Sequence, residues 1–133
     1  MIFNAEKTDG GDAFTGIIRF NRVTLNEGSG MSDLVFTAPI AGHYKMSFSA
    51  MSGYKKYGTS TYVGVYLNLD SLVFWIADDN DGRWSDGNNI SHDWIMKLKE
   101  GDKLHFVVKS GSYLLAKSGH PVNFNGQLVF AEA

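Results

Sequence analysis

The sequence predicts an all-β sandwich or jelly roll of nine or ten strands, formed as one domain over residues 1–133. Three observations carry that expectation. Apolar and polar residues alternate with a two-residue period in short blocks, glycine-centred turn signals stand between the blocks, and no segment offers a capped helical stripe of more than two turns. Composition agrees, since 14% aromatic residues and 15 glycines against two prolines suit strands joined by tight turns better than a helical bundle.

In chain order the alternating blocks are residues 1–5, 17–23, 34–38, 43–51, 62–70, 72–78, 90–98, 104–109 and 122–130. In the fourth, Tyr44, Met46, Phe48 and Ala50 share one face while Lys45, Ser47 and Ser49 take the other. In the fifth, Tyr62, Gly64, Tyr66 and Asn68 alternate with Val63, Val65 and Leu67. Such strands have one buried and one wet face. The turn signals are Asp9-Gly10-Gly11, Glu27-Gly28-Ser29-Gly30, Ala41-Gly42, Asp81-Gly82, Asp86-Gly87 and Glu100-Gly101-Asp102.

With 44% hydrophobic residues, 20% charged residues and a net charge of -2, the chain can core one domain, and two would each be too small. It contains no run of eighteen apolar residues, no charged-then-apolar leader and no block of like charge, so neither membrane insertion nor a nucleic-acid partner is expected. The absence of cysteine removes disulfides, thiol nucleophiles and thiolate metal sites together. Stability must come from packing.

Catalysis finds no constellation. His43, His92, His105 and His120 are scattered with no metal-ligand spacing, and the serine-nucleophile elbow and phosphate-cradling glycine loop are missing. Ser52-Gly53-Tyr54-Lys55, Ser85-Asp86-Gly87 and Lys109-Ser110-Gly111 stand in the order used by serine penicillin-interacting enzymes. That chemistry needs serine and lysine one helical turn apart, whereas here they follow a strand in a chain about half the required length. The chain reads as a non-enzyme.

The charge is uneven. Asp78, Asp79, Asp81, Asp86 and Asp93 fall within sixteen residues with only Arg83 among them, a local balance of -4, and Trp75, Trp84 and Trp94 flank or occupy the same stretch. A loop this rich in Asp and Asn can supply several of the oxygen ligands that calcium takes, so Asp78, Asp79, Asp81 and Asp86 are the candidate metal ligands; a solvated acidic turn is the competing account. Aromatic residues beside polar ones also suit sugars, whose C–H faces pack on rings while their hydroxyls seek polar groups. Arg83 with Trp84, and Tyr54 with Tyr57, are the candidate ligand contacts. Trp75 and Trp94 lie inside strand patterns and are expected in the core or a subunit contact.

Several strings are recognisable. Ile18-Arg19-Phe20-Asn21-Arg22-Val23, Asn26-Glu27-Gly28 and Phe36-Thr37-Ala38-Pro39-Ile40-Ala41-Gly42-His43-Tyr44 with Phe48 resemble the first half of the complement C1q-type globular head, a member of the tumour necrosis factor superfamily. Leu98-Lys99-Glu100-Gly101-Asp102-Lys103-Leu104 is similar to its leucine–x–x–glycine–aspartate turn, and Phe124-Asn125-Gly126-Gln127-Leu128-Val129-Phe130 to its closing strand. The resemblance spans essentially the whole chain, opening strand Ile2-Phe3-Asn4-Ala5 included.

The resemblance implies a ten-stranded jelly roll assembling as a homotrimer, with Phe20, Phe36, Tyr44, Phe48, Phe124 and Gly126 as structural or trimer core. Several relatives bind calcium near the threefold axis; counting from Val65, their acidic pair falls near Asp79 and Asn80 and a later aspartate near Asp86, with Asp78 and Asp81 competing for the role. Departures are Gln127 in place of the usual aromatic and no preceding glycine–x–y tract. The chain begins directly at its first strand, as a stand-alone head does after signal removal or as an excised domain would. Asn89-Ile90-Ser91 is a glycosylation sequon. The expected function is a secreted, extracellular, lectin-like trimer of innate-immune pattern recognition that binds glycans or microbial surface polyanions, with calcium as a possible aid. The alternative is a cytokine-like or extracellular-matrix trimerisation head that engages a protein receptor.

Overall fold

The computed structural model describes residues 1–28, 30–53, 60–77 and 89–132. Their regular elements are all strands: β1 (Ile2–Lys7), β2 (Gly11–Phe14), β3 (Gly16–Ile17), β4 (Arg22–Glu27), β5 (Phe36–Thr37), β6 (Gly42–Ser52), β7 (Tyr62–Leu67), β8 (Ser71–Ala77), β9 (Asn89–Leu98), β10 (Lys103–Val108), β11 (Leu114–Ala116) and β12 (Val122–Ala131). The alternating blocks become two antiparallel sheets because each has an apolar face to bury. In the seven-stranded sheet β6 is central: β9 pairs along one side, while β12 and then β11 pair along the other. From β12 the sheet continues to β1 and β4, and from β11 to β2. In the five-stranded sheet β10 lies between β7, which leads to β8, and the short strands β3 and β5.

The expected jelly roll is therefore present, with local differences that have physical causes. Block 17–23 is not one strand: β3 belongs to the second sheet and β4 to the first. The chain crosses between them with Ile18 and Phe20 turned into the interior and their N–H groups donating to the carbonyls of Phe106 and Asp33. Block 62–70 stops at Leu67, because Asn68 and Leu69 take φ angles of 53° and 82° to turn the chain into β8. Leu114, Leu115 and Ala116 form β11 without alternation, since all three are buried.

Rings fill the space between the sheets. Phe3 stacks on Phe36 at 4.8 Å and meets Phe124 edge-on at 4.9 Å, Phe106 meets Phe124 at 4.6 Å, and Phe48 stacks on Phe106 at 4.9 Å. Edge-to-face and offset pairs of this kind add to the hydrophobic gain of burial. Tyr44 is fully buried among them because its hydroxyl finds a partner, donating to the Ile40 carbonyl at 2.5 Å. Gly126 leaves room for the Phe3 ring and Met46: a Cβ there would lie 2.8 Å from Phe3 Cε1 and 2.6 Å from Met46 Sδ.

The glycine–aspartate turn before β10 is a capped unit. Gly101 adopts φ 89°, and the Asp102 carboxylate accepts from the Lys99 N–H at 2.9 Å and from Asn68 Nδ2 at 3.1 Å. Asn68 Oδ1 in turn accepts from the Lys103 N–H at 2.9 Å. The turn between β7 and β8 and the turn before β10 are thus locked together at one end of the second sheet.

Candidate functional site

Asp78, Asp79, Asp81 and Asp86, the expected metal ligands, and Arg83, Trp84, Tyr54 and Tyr57, the expected ligand contacts, lie outside the described residues. The strand ends from which those segments leave are described. Ala77, the last residue of β8, is the register partner of Tyr62, the first of β7. Phe20, Phe36, Tyr44, Phe48 and Phe124 are at most 1% exposed and lie inside the single chain, with Gly126 buried between them and the first sheet. Among the described residues no three histidine or acidic side chains gather as a metal site.

The outward face of the second sheet carries the chemistry. Val63, Val65, Phe74, Ile76, Leu104, Phe106 and Val108 turn toward the core, so the intervening residues of β7, β8 and β10 face out. Three rows cross the strands. Lys109 donates its N–H to the Tyr62 carbonyl beside Ala77; Ile17, Val107, Gly64 and Trp75 form the second row; His105, Tyr66 and Leu72 form the third. A bulge between Val65 and Tyr66 brings Val73 into the exposed edge.

Gly64 organises this face by having no side chain. A Cβ at Gly64 would lie 2.8 Å from Tyr66 Cε1, 3.0 Å from Trp75 Cζ3 and 3.3 Å from Leu72 Cδ1, so three side chains lean over one backbone position. Trp75 and Tyr62 meet at 75° with centroids 6.4 Å apart, an L-shaped notch, and the Lys109 ammonium sits 5.0 Å from the Tyr62 centroid and 5.7 Å from that of Trp75. Both distances lie within cation–π range. Trp75 keeps 42% of its surface exposed. Tyr66 stacks on His105 at 5.4 Å, and burial holds the His105 imidazole below its ordinary value of 6.5, so at neutral pH it presents a neutral ring. The face therefore offers flat π surface with the Lys109 ammonium beside it.

The opposite face, on the first sheet, combines a hydrogen-bonded amide ladder with exposed apolar side chains, among them Ile2, Leu25 and Ile95. Asn125 Nδ2 donates to Asn123 Oδ1 at 2.8 Å, Asn123 Nδ2 to Asn4 Oδ1 at 2.9 Å, and Asn4 Nδ2 to Thr24 Oγ1 at 2.7 Å. A pocket of about 290 Å³ beside this ladder is lined by Ile2, Asn4, Leu25, Lys45, Ser47 and Gln127, among others. The asparagines that line it, Asn4 and Asn125, are engaged in that ladder.

Sequence reasoning expected Trp75 in the core or a subunit contact; it is not a core residue. Its signal was the glycine opposite it, a partner visible only once the register of β7 and β8 is known. Trp94 is half-buried, packed against Phe74 at 5.2 Å and stacked on His92 at 5.6 Å, where β9 and β8 close one side of the sandwich.

Two antiparallel sheets with an aromatic interior, a glycine–aspartate turn and no helix among the described residues define a jelly-roll head built to present surfaces. The C1q domain matches residues 2–129, and the chain belongs to the C1q-domain family. Its fold is similar to that of the globular domain of zebrafish complement 1qA protein, with a TM-score of 0.74 at 18% identity over 98% of each chain. No curated protein sequence matches. C1q domains are a non-enzymatic recognition fold, generally trimeric and typically extracellular, that binds ligands or receptors. No helix among the described residues is long and apolar enough to cross a membrane.

Proposed function

We propose that this protein is a secreted, lectin-like homotrimer of innate-immune pattern recognition, which binds glycans or microbial surface polyanions with the help of calcium. The observation that carries the reading is the open aromatic face: an indole 42% exposed, set edge-on at 75° to a tyrosine ring, with an ammonium over both. Sugar C–H faces pack on such rings, and the cation meets hydroxyls or acidic substituents. One copy of a shallow face binds weakly. Three copies on one assembly gain avidity against a repeating surface without any new contact.

Calcium enters through the acidic segment that follows Ala77. Asp78, Asp79, Asp81 and Asp86 would hold it, and three such segments around an axis would repel one another until a divalent cation relieved the repulsion. A glycan and microbial-surface array, run with the oligomeric state measured by light scattering, tests the reading. Binding that Trp75→Ala abolishes is the expected result, and absence of binding across the array by a verified trimer would sink it.

A second reading is favoured by the apolar rim of the same face. Ile17, Leu72 and Val73 are 47%, 42% and 42% exposed, which suits a protein partner. In that case the chain is a cytokine-like or extracellular-matrix trimerisation head engaging a protein receptor. Capture of one defined protein that sugars do not displace would favour it.

A further inference from the structure

We infer that the notch formed by Tyr62, Trp75 and Lys109 selects sugars carrying an acidic substituent, a carboxylate or a sulfate, over their neutral counterparts. The inference rests on the glycan reading above and assigns its specificity to Lys109. The rings make a floor and a wall, and a sugar laid on the exposed part of Trp75 turns its rim toward the ammonium that caps the corner. The backbone at Lys109 is held at both ends: its N–H donates to the Tyr62 carbonyl at 3.0 Å, and its carbonyl accepts from the Ser112 N–H at 2.8 Å. An anchored backbone leaves only the side chain to be ordered on binding.

Charge complementarity points the same way. Among the described residues the ion pairs are Lys7 with Asp9, Arg19 with Asp33, Arg22 with Glu6, Lys97 with Glu132 and Lys117 with Asp12. Lys109 is in none of them, and the partners found for its charge there are the two π faces. Ring quadrupoles attract a cation without neutralising it, so the Lys109 ammonium still presents its charge to an arriving anion. His105, neutral at pH 7, adds no competing charge on this face.

Binding of the full chain to matched probes tests this: a disaccharide ending in glucuronate against one ending in glucose, and 6-sulfogalactose against galactose, on the same linker. The expected result is acidic probes binding about tenfold more tightly at low salt, with the preference shrinking as ionic strength screens an exposed charge. Lys109→Met should erase the preference while leaving neutral-sugar binding in place, Lys109→Arg should keep it, and Trp75→Ala should remove both. The two arms distinguish a carboxylate from a sulfate source. Equal binding of acidic and neutral probes, sensitive to Trp75→Ala, overturns the selectivity and leaves the glycan reading standing. Failure of every probe overturns both, and a Lys109→Met chain that loses neutral and acidic sugars alike makes Lys109 a prop for the rings, which also overturns the inference.

Discussion

Gly64 on β7 and Trp75 on β8 are register partners, and the indole leans across the strand pair until its Cζ3 lies 3.0 Å from where a Gly64 Cβ would be. A glycine weakens a strand, because it has no side chain to pack and loses the most conformational freedom on folding. Here the neighbouring ring covers the exposed backbone and gains a fixed orientation in return.

Gly64→Ala should therefore strike the site harder than the fold. The added methyl would lie 2.8 Å from Tyr66 Cε1 and 3.0 Å from Trp75 Cζ3, both at far ends of side chains on an open face, so the rings can move outward. A stability loss of about 1 kcal/mol, at the low end for overpacking, is expected. Near-ultraviolet circular dichroism should change, and sugar affinity should fall by more than the stability change explains. An unaltered aromatic spectrum would contradict this account.

Asp102 joins two turns through one carboxylate. The hydrogen bonds from the Lys99 N–H and Asn68 Nδ2 hold its pKa below the ordinary 3.8, the first contributing most. Asp102→Ala should lower stability by roughly 1 kcal/mol, the worth of exposed charge-assisted bonds after solvent screening. Asn68→Ala in the Asp102→Ala background should cost less than it does alone, and a double-mutant cycle in urea measures the coupling.

The response to pH separates into two windows. The folded His105 has its pKa held below 6.5 by burial, and the unfolded chain titrates near 6.5. Well above pH 6.5 both states are neutral and the stability is undiminished. As pH falls through 6.5 the unfolded chain takes up its proton first, so stability is lost until the folded value is passed. Asp9 and Asp102, lowered from 3.8, and Glu132, lowered from 4.5, act in the same sense, the unfolded chain taking up their protons first, and give up stability only at more acid pH. Thermal melts between pH 7 and pH 5 should fall more steeply for the native chain than for His105→Gln. Parallel curves would show that His105 is not the titrating group.

How much of this was legible in advance follows from which interactions are local in sequence. Alternation along β6 or β12 is a property of one strand, and so Tyr44, Phe48 and Phe124 could be read as interior residues from their own blocks. The crossing at Ile18 and Phe20 could not, because a residue that leaves one sheet for the other keeps the same alternation while changing partners. β11 was invisible because burial on both faces abolishes the period. The aromatic notch depends on register: Tyr62 lies on β7, Trp75 on β8 and Lys109 just past the end of β10, and their convergence is set by pairings between these strands that no single block encodes. Acidic crowding at Asp78, Asp79, Asp81 and Asp86 was plain from the sequence alone, since a local excess of like charge along the chain needs no register to be seen.

Calcium is the last prediction, and it rests on that crowding. A ligand that binds only the folded state stabilises it by mass action, about 1.4 kcal/mol at ten times its Kd, or roughly 3–5 °C in the melting temperature of a domain this size. Melts in millimolar calcium against chelator should show such a rise, and Asp79→Asn with Asp86→Asn should abolish it while leaving the melt in chelator unchanged or higher, because the substitutions also remove like-charge repulsion. Magnesium, which demands tighter octahedral geometry and gives up water reluctantly, should do less at the same concentration. An equal rise with both ions would indicate diffuse screening of the acidic segment, and no rise with either would remove calcium from the recognition chemistry and leave it to the aromatic face alone.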